Sequence, residues 1–383
     1  MPQLAPIRLV NARALVDGAL HDHPVTIRDG RIDQGPGREL DLAGYLLLPG
    51  IIDLHGDGFE RHLSPRPTAP FDKARGLVSV AGELAANGIT TAWMAQSWSW
   101  EGGFRSGDAA TSLLAALDSA RADLLADMRV QLRLETHVID QHGAVLAAVD
   151  AHRVDFVVFN NHLPEALEMA ETRPHRFASW AAQTSRTADE MLAIVRAAAA
   201  QEAEVPAALT KIAGSFAALG VTMGSHDDAT PETRAFYRGI GAAISEFPTT
   251  ILAARAAHAA GEPVLMGAPN VVRGGSQTGN IAAAGLVADG LVDALMSDYY
   301  YPALPLAAFA LVDAGICDLP TAWGMISAAP ARIMGLDDRG SLREGMRADL
   351  VAMNPTTRRI EMCLSAGRVA HLSGELARRV AGA

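Results

Sequence analysis

Cysteine is nearly missing from this chain: among 383 residues only Cys317 and Cys363 carry thiols. Two cysteines make no disulfide framework and no Cys-x-x-Cys zinc motif. Lysine is equally scarce, with Lys73 and Lys211 the only two. An excess of positive charge is also lacking. The formal net charge of −11 argues against a nucleic-acid or anionic-membrane partner, because either needs a basic face. An anionic small molecule remains compatible, provided its counter-charges are local: metal ions or a few arginines. No apolar run reaches membrane-spanning length. The opening MPQLAPIRLV has no basic region followed by an apolar core, so no signal peptide is expected and the expected compartment is cytoplasmic. No Gly-x-Ser-x-Gly elbow occurs, which removes that class of serine hydrolase. What is present is ordinary for a folded protein with a sizeable core: 49% hydrophobic and 20% charged residues. The length suits one large domain and a smaller one.

The chain is organised around Leu48-Pro49-Gly50-Ile51-Ile52-Asp53-Leu54-His55-Gly56-Asp57. A Pro-Gly turn feeds an apolar run interrupted only by Asp53, the pattern of a strand buried on both faces. The run ends in His55-x-Asp57. Residues two apart on a strand point the same way, so an imidazole and a carboxylate there can hold one divalent metal together. In a parallel barrel the C-terminal ends of the strands carry the chemistry.

Both ends of the chain read as β-rich. Ile7–Val10, Ala14–Val16 and Val25–Ile27 are strand-like, with Asp29-Gly30 as a hairpin signal. Near the other end Asp349–Met353, Arg359–Leu364 and Arg368–His371 are strand-like, with a turn at Ala366-Gly367. Neither end has enough strands to bury a face alone. Residues 1–48 and 340–383 are therefore expected to fold together as a small discontinuous β-sandwich. Residues 49–339 alternate apolar runs with alanine-rich helical stretches, the α/β signature. Eight runs are counted, at 51–55, 89–96, 130–137, 154–161, 221–226, 243–247, 263–268 and 294–298. Eight is the number that closes a (β/α)8 TIM-like barrel. Helices are expected over Lys73–Asn87, ended by Gly88, and over Ala109–Asp127. The stretch from about 164 to 219 is too long for one helix, and reads as an insertion of two or three helices broken near Pro206. Such insertions form lids or extra packing layers.

Several of these runs end in metal-ligand side chains. The third closes with Glu135, the fourth with Asn160-Asn161-His162, the fifth with His226-Asp227-Asp228 and the eighth with Ser297-Asp298. Any one of them is commonly a hydrogen-bonded strand end. Five on one rim point to a site for two metals. His55 and Asp57 are expected to hold one ion, His162 and His226 the other. Two adjacent cations need a shared carboxylate; neither lysine falls at a strand end, so Glu135 is the expected bridge in place of a carboxylated lysine. Asp298 is the expected general acid–base, orienting a water whose pKa divalent metals lower to about 7. Mixed imidazole and carboxylate ligation suits Zn first, with Mn or Fe as alternatives.

The Pro-Gly-x-x-Asp-x-His start, the ligand order and the split β-region resemble the amidohydrolase superfamily across essentially the whole chain. More specific strings resemble the α-D-ribose 1-methylphosphonate 5-triphosphate diphosphatases of phosphonate catabolism. These are 57–67 (DGFERHLSPRP), 225–230 (SHDDAT), 246–250 (EFPTT), 265–270 (LMGAPN), 273–276 (RGGS) and 297–299 (SDY). The resemblance implies hydrolysis of a ribose 5-triphosphate to the monophosphate and pyrophosphate. Asn161 stands where that family more often has an acid, Gln277 where it more often has histidine, and Gly58 where asparagine is usual. The strand count places His162 and His226 one strand earlier than the superfamily convention.

A triphosphate needs cations and backbone donors. Arg273, Gly274, Gly275 and Ser276 follow the seventh run, where barrels often bind phosphate. Arg61, His62 and Arg66 follow the first, in a proline-stiffened segment. All seven are expected to contact substrate. Trp93, Trp98, Trp100, Met223, Met266 and Met296 are expected in the core. An amidohydrolase or deaminase acting on a C–N bond is the alternative reading, which the arginines disfavour. A non-catalytic binder is a third, which has no use for Asp298. A homodimer is expected by default.

Overall fold

The computed structural model describes residues 5–66, 71–275 and 281–382. Seven strands precede the barrel: β1 (Ile7–Val10), β2 (Arg13–Val16), β3 (Ala19–His21), β4 (Val25–Arg28), β5 (Arg31–Asp33), β6 (Arg38–Asp41) and β7 (Leu46–Pro49). Eight follow in the middle: β8 (Ile51–Gly56), β9 (Ile89–Trp98), β10 (Asp127–Glu135), β11 (Phe156–Asn160), β12 (Thr222–His226), β13 (Ile244–Glu246), β14 (Val264–Gly267) and β15 (Ala294–Met296). Three more close the chain: β16 (Leu350–Met353), β17 (Ile360–Ser365) and β18 (Arg368–Leu372).

Strands β8 to β15 pair in sequence order as one parallel sheet. A parallel bridge between Gly56 and Asp298 joins its last edge to its first. The seam is held by Asp298 N–H donating to the His55 carbonyl and Asp57 N–H donating to the Asp298 carbonyl, each at 2.9 Å. Eight-strand closure is thus present, with His162 after the fourth barrel strand and His226 ending the fifth, so no strand was missed in the count. Every residue of β8, β9 and β11 is buried, as a sheet covered by helices on one face and packed inside on the other requires. Trp93, Met223 and Met296 are buried in it, and Trp93 also donates to Asp155 at 2.8 Å.

The terminal segments build two sheets, β5-β4-β1-β6 and β18-β17-β16-β7-β2-β3. They share a core that includes Ile7, Leu9, Ile27, Leu47, Leu350 and Leu364. The anticipated hairpin and the anticipated turn are both present. Asp29 and Gly30 have φ of 49° and 77°, Ala366 and Gly367 of 48° and 70°, the positive angles of primed two-residue turns. Strand β7 faces both ways: Leu47 packs into the terminal sheets and Leu48 into the barrel. Gly50 then passes the chain into β8. A Cβ there would sit 2.4 Å from Thr90 Oγ1, so only glycine fits the junction.

Two expectations on helices are corrected. The one expected over 109–127 runs from Gly107 to Ala120, because β10 already begins at Asp127. Ser106 caps its start, accepting from Ala109 N–H at 3.1 Å. The long interval contains four helices, Leu163–Thr172, Pro174–Gln183, Ala188–Ala199 and Val205–Ala218. Pro206 starts the last rather than breaking it, since proline is tolerated in a first turn.

Candidate active site

The barrel seam decides which side chains meet. Pairing Gly56 with Asp298 brings the end of β8 against the end of β15, so His55, Asp57 and Asp298 offer ligand atoms within 4.8 Å of one another. Asp53 locks the same seam from inside. Fully buried, it accepts from Ser297 N–H at 2.9 Å and from Ser297 Oγ at 2.5 Å. Asp298 is held at φ 55°, a left-handed conformation that costs a non-glycine residue about 1 kcal/mol or more. Burial pushes its carboxyl up to about 6.

A second group joins His55 to His226 and Glu246, again within 4.8 Å. Glu246 closes β13 and is wholly buried; Gln131 donates to its Oε1 at 2.8 Å. Its Oε2 lies 3.0 Å from His55 Nδ1 and 3.9 Å from His226 Nε2. Burial works against this carboxylate, but His55, His226 and Gln131 outweigh it and hold it below the ordinary range. Burial equally opposes charge on His55, and Glu246 overcomes it, raising His55. His226 goes the other way, lowered chiefly by burial. Phe247 packs against both imidazoles in T-shaped contacts, ring centroids 5.0 Å apart, and walls them off.

Glu135 and His162 meet elsewhere. With Glu101 they form a third group within 4.8 Å. His162 Nδ1 is 2.7 Å from Glu135 and 3.8 Å from Glu101. Asn160 Nδ2 and the His162 backbone N–H also donate to Glu135, each at 3.2 Å. Among the described residues no such group contains both Glu135 and His55, or both His162 and His226. No one group therefore joins the expected bridge to His55, or holds the expected second pair together. Arg133, two residues before Glu135 on the same face of β10, intervenes with Nη2 3.4 Å from His226 Nε2.

A cleft of about 950 Å³ opens above these groups; its lining includes His55, Asp57, Arg133, His162, His226 and Asp298. Arg173, between the first two inserted helices, and Arg176, on the second, wall it. Of the expected substrate contacts, Arg273 and Gly275 line it and Ser276 lies outside the described residues. Gly274 and Gly275 do not present free amides: they donate to the carbonyls of Val271 and Asn270, because they end the helix Ala268–Arg273. Arg61 and His62 are drawn away by Glu83, which pairs with the guanidinium and sits 2.5 Å from His62 Nε2. Neither they nor the exposed Arg66 line the cleft. Asp227 faces it and lies 3.0 Å from His226 Nδ1. Asp228 instead binds the buried Arg234 at 3.0 Å.

Sequence reasoning missed Glu246, Glu101 and Arg133. Glu246 closes the sixth run as the other ligands close theirs, so the same rule applied there would have found it. Glu101 stands three residues beyond β9 and gave no such signal.

A parallel barrel with imidazoles and carboxylates clustered at its C-terminal rim defines a metal-dependent hydrolase of the amidohydrolase type. Solved structures bear out the fold. An amidohydrolase superposes with a TM-score of 0.65 at 14% identity, covering 97% of this chain and 100% of the other. The β-aspartyl dipeptidase of Fervidobacterium islandicum AW-1 gives 0.65 at 13% identity, covering 97% and 98%. No family model matches the chain. A curated relative, the α-D-ribose 1-methylphosphonate 5-triphosphate diphosphatase of Escherichia coli strain K12, is 33% identical over 357 residues, 90% of this chain and 93% of that one. The chain belongs to the family of α-D-ribose 1-methylphosphonate 5-triphosphate diphosphatases.

Divalent metal, which this superfamily usually carries, fits the residues present. His55 Nδ1 and Glu246 Oε2 lie 3.0 Å apart, and His226 Nδ1 lies 3.0 Å from Asp227, as buried ion-pair contacts without hydrogen-bond geometry. Unsatisfied polar atoms at that depth cost about 1–3 kcal/mol each, and a cation removes the cost. Imidazole with carboxylate is a donor set that Zn, Mn and Fe accept.

Proposed function

We propose that the protein hydrolyses a ribose 5-triphosphate, α-D-ribose 1-methylphosphonate 5-triphosphate or a related nucleoside triphosphate, to the 5-monophosphate and pyrophosphate in phosphonate catabolism. The observation that carries this reading is the family relationship over nine-tenths of the chain, joined to a rim where four arginines, Arg133, Arg173, Arg176 and Arg273, line the cleft beside the ligand groups. His55, Asp57 and Asp298 would hold one divalent ion, and His226 with Glu246, or Glu135 with His162 and Glu101, a second; zinc is the first candidate. Bound there, such ions lower the pKa of water and neutralise charge on phosphate oxygens.

The chain's own groups do the rest. Asp298 faces the cleft from the barrel seam and takes the proton of the attacking water. The water oxygen bonds to the α-phosphorus in line with the bond to the α,β-bridging oxygen, which breaks. Pyrophosphate departs with that oxygen, and the released proton passes from Asp298 to solvent. Arg173, Arg176 and Arg273 supply the cationic wall that a polyphosphate chain needs.

Product detection tests the reading. The metal-loaded protein, incubated with ribose or nucleoside 5-triphosphates, should release inorganic pyrophosphate and the 5-monophosphate. Ammonia or a free amine from amide or amidine substrates, with no pyrophosphate, would assign it to C–N hydrolysis instead.

A further inference from the structure

Among the described residues three arginines are buried: Arg133, Arg234 and Arg339. Two of them are structural. Arg234 pairs with Asp228 and Glu262 at 3.0 and 3.2 Å and donates to the Ile244 carbonyl at 3.1 Å. Arg339 pairs with Asp127 and Asp338, each at 2.7 Å, and donates to Thr91 Oγ1 at 2.9 Å. Arg133 is built differently. It is 8% exposed, its Nε has no partner, and its guanidinium makes one contact, with the His226 imidazole at 3.4 Å. Among the described residues no carboxylate pairs with it.

A guanidinium cannot shed its proton. Burying it without an anion costs several kcal/mol, so such a charge persists only where something repays it. Carboxylates lie around it in the groups of His55, His226 and His162, which fit divalent cations, and at Asp227 and Glu60, which belong to no such group. All of them stand beyond ion-pair distance, so none satisfies the donors of its fork. Its side chain lines the floor of the cleft between these groups. Acceptor oxygens for that fork can enter through the cleft.

We infer that Arg133 is a phosphoryl-binding residue, gripping non-bridging oxygens of the substrate's phosphate chain at the cleft floor, with its planar fork supplying paired donors. The identity of the phosphate as a polyphosphate ester rests on the function proposed above; the anion site itself rests on the unpaired buried charge.

Pyrophosphate is the probe, and the full chain is used both metal-loaded and after chelator treatment. Pyrophosphate should raise the melting temperature of the chelator-treated wild type, a measurement that needs no variant; no rise overturns the site. Arg133→Gln should weaken pyrophosphate binding, measured by calorimetry, about tenfold or more, with metal content by elemental analysis unchanged. Arg133→Lys, which keeps the charge but loses the fork, should fall between. Affinity in Arg133→Gln equal to wild type overturns the inference. The two readings fail separately. A wild type that binds pyrophosphate through Arg133 but hydrolyses no triphosphate supports the anion site and sinks the proposed reaction. A wild type that releases pyrophosphate from a triphosphate, while Arg133→Gln keeps its KM and its pyrophosphate affinity, sinks the anion site alone.

Discussion

Asp298 and Gly56 meet across the barrel seam, and each is constrained by the other's strand. The carboxyl of Asp298 is pushed up to about 6 by burial, yet it must be ionised to take a proton from water. The expected profile of kcat/KM therefore falls as pH drops through about 6, and cations bound beside Asp298 draw that limb lower. Asp298→Asn should lower kcat by about 10²–10⁴-fold, with metal content near wild type because His55 and Asp57 remain; retained turnover removes Asp298 from the mechanism. Gly56 is packed rather than strained. A Cβ there would lie 2.7 Å from Asp53 Oδ2 and Tyr301 Cε1 and 2.8 Å from Ser297 Oγ. Gly56→Ala should destabilise by about 1–3 kcal/mol in chemical denaturation; unchanged stability would show that the seam yields.

Among the elements, the strand ends do different work from what their order suggests. Strand β13 is three residues long, yet its last residue, Glu246, reaches both His55 and His226. Gln131 on β10 holds Glu246 in place. A buried carboxylate that sets an imidazole's orientation commonly changes metal affinity 10–100-fold when lost. Glu246→Gln should weaken binding of added zinc by about that factor in a metal titration, while the far-ultraviolet dichroism stays native; unaltered affinity would leave Glu246 a packing residue. The glycine loop after β14 teaches the opposite lesson. By sequence it looked like an anion cradle, but the amides of Gly274 and Gly275 terminate a helix, whose carbonyls claimed them first.

Across the whole molecule, charge ties the barrel to the C-terminal segment. Asp127, at the start of β10, pairs with Arg129, Arg339 and Arg347 at 2.9, 2.7 and 3.5 Å. Burial opposes its ionisation, but these arginines prevail and lower its carboxyl from 3.8 to about 2. A carboxylate lowered on folding stabilises above its unfolded value and loses that contribution as pH falls through the folded one. The contribution is about 2 kcal/mol at pH 7, fading between pH 4 and 2. Asp127→Asn should therefore melt earlier than wild type at neutral pH, and the difference should shrink below pH 4; a difference that persists at pH 2 would assign the loss to packing. No helix among the described residues is long and apolar enough to cross a membrane.

Much of this was legible in the chain. Apolar runs bounded by turns determined eight parallel strands, and Asp-Gly and Ala-Gly pairs determined the hairpins of the terminal sheets, because both signals are local. Polar residues closing those runs marked His55, Asp57 and Asp298 as rim groups. Which rim residue faces which was decided only by tertiary structure. Asp53 binds Ser297 across 244 positions, and Glu83 captures Arg61 and His62 from a helix that shares no motif with them. Sequence spacing carries no distance between separate strand ends; the pairing register and the closing seam set it, and with it the partner of every charge.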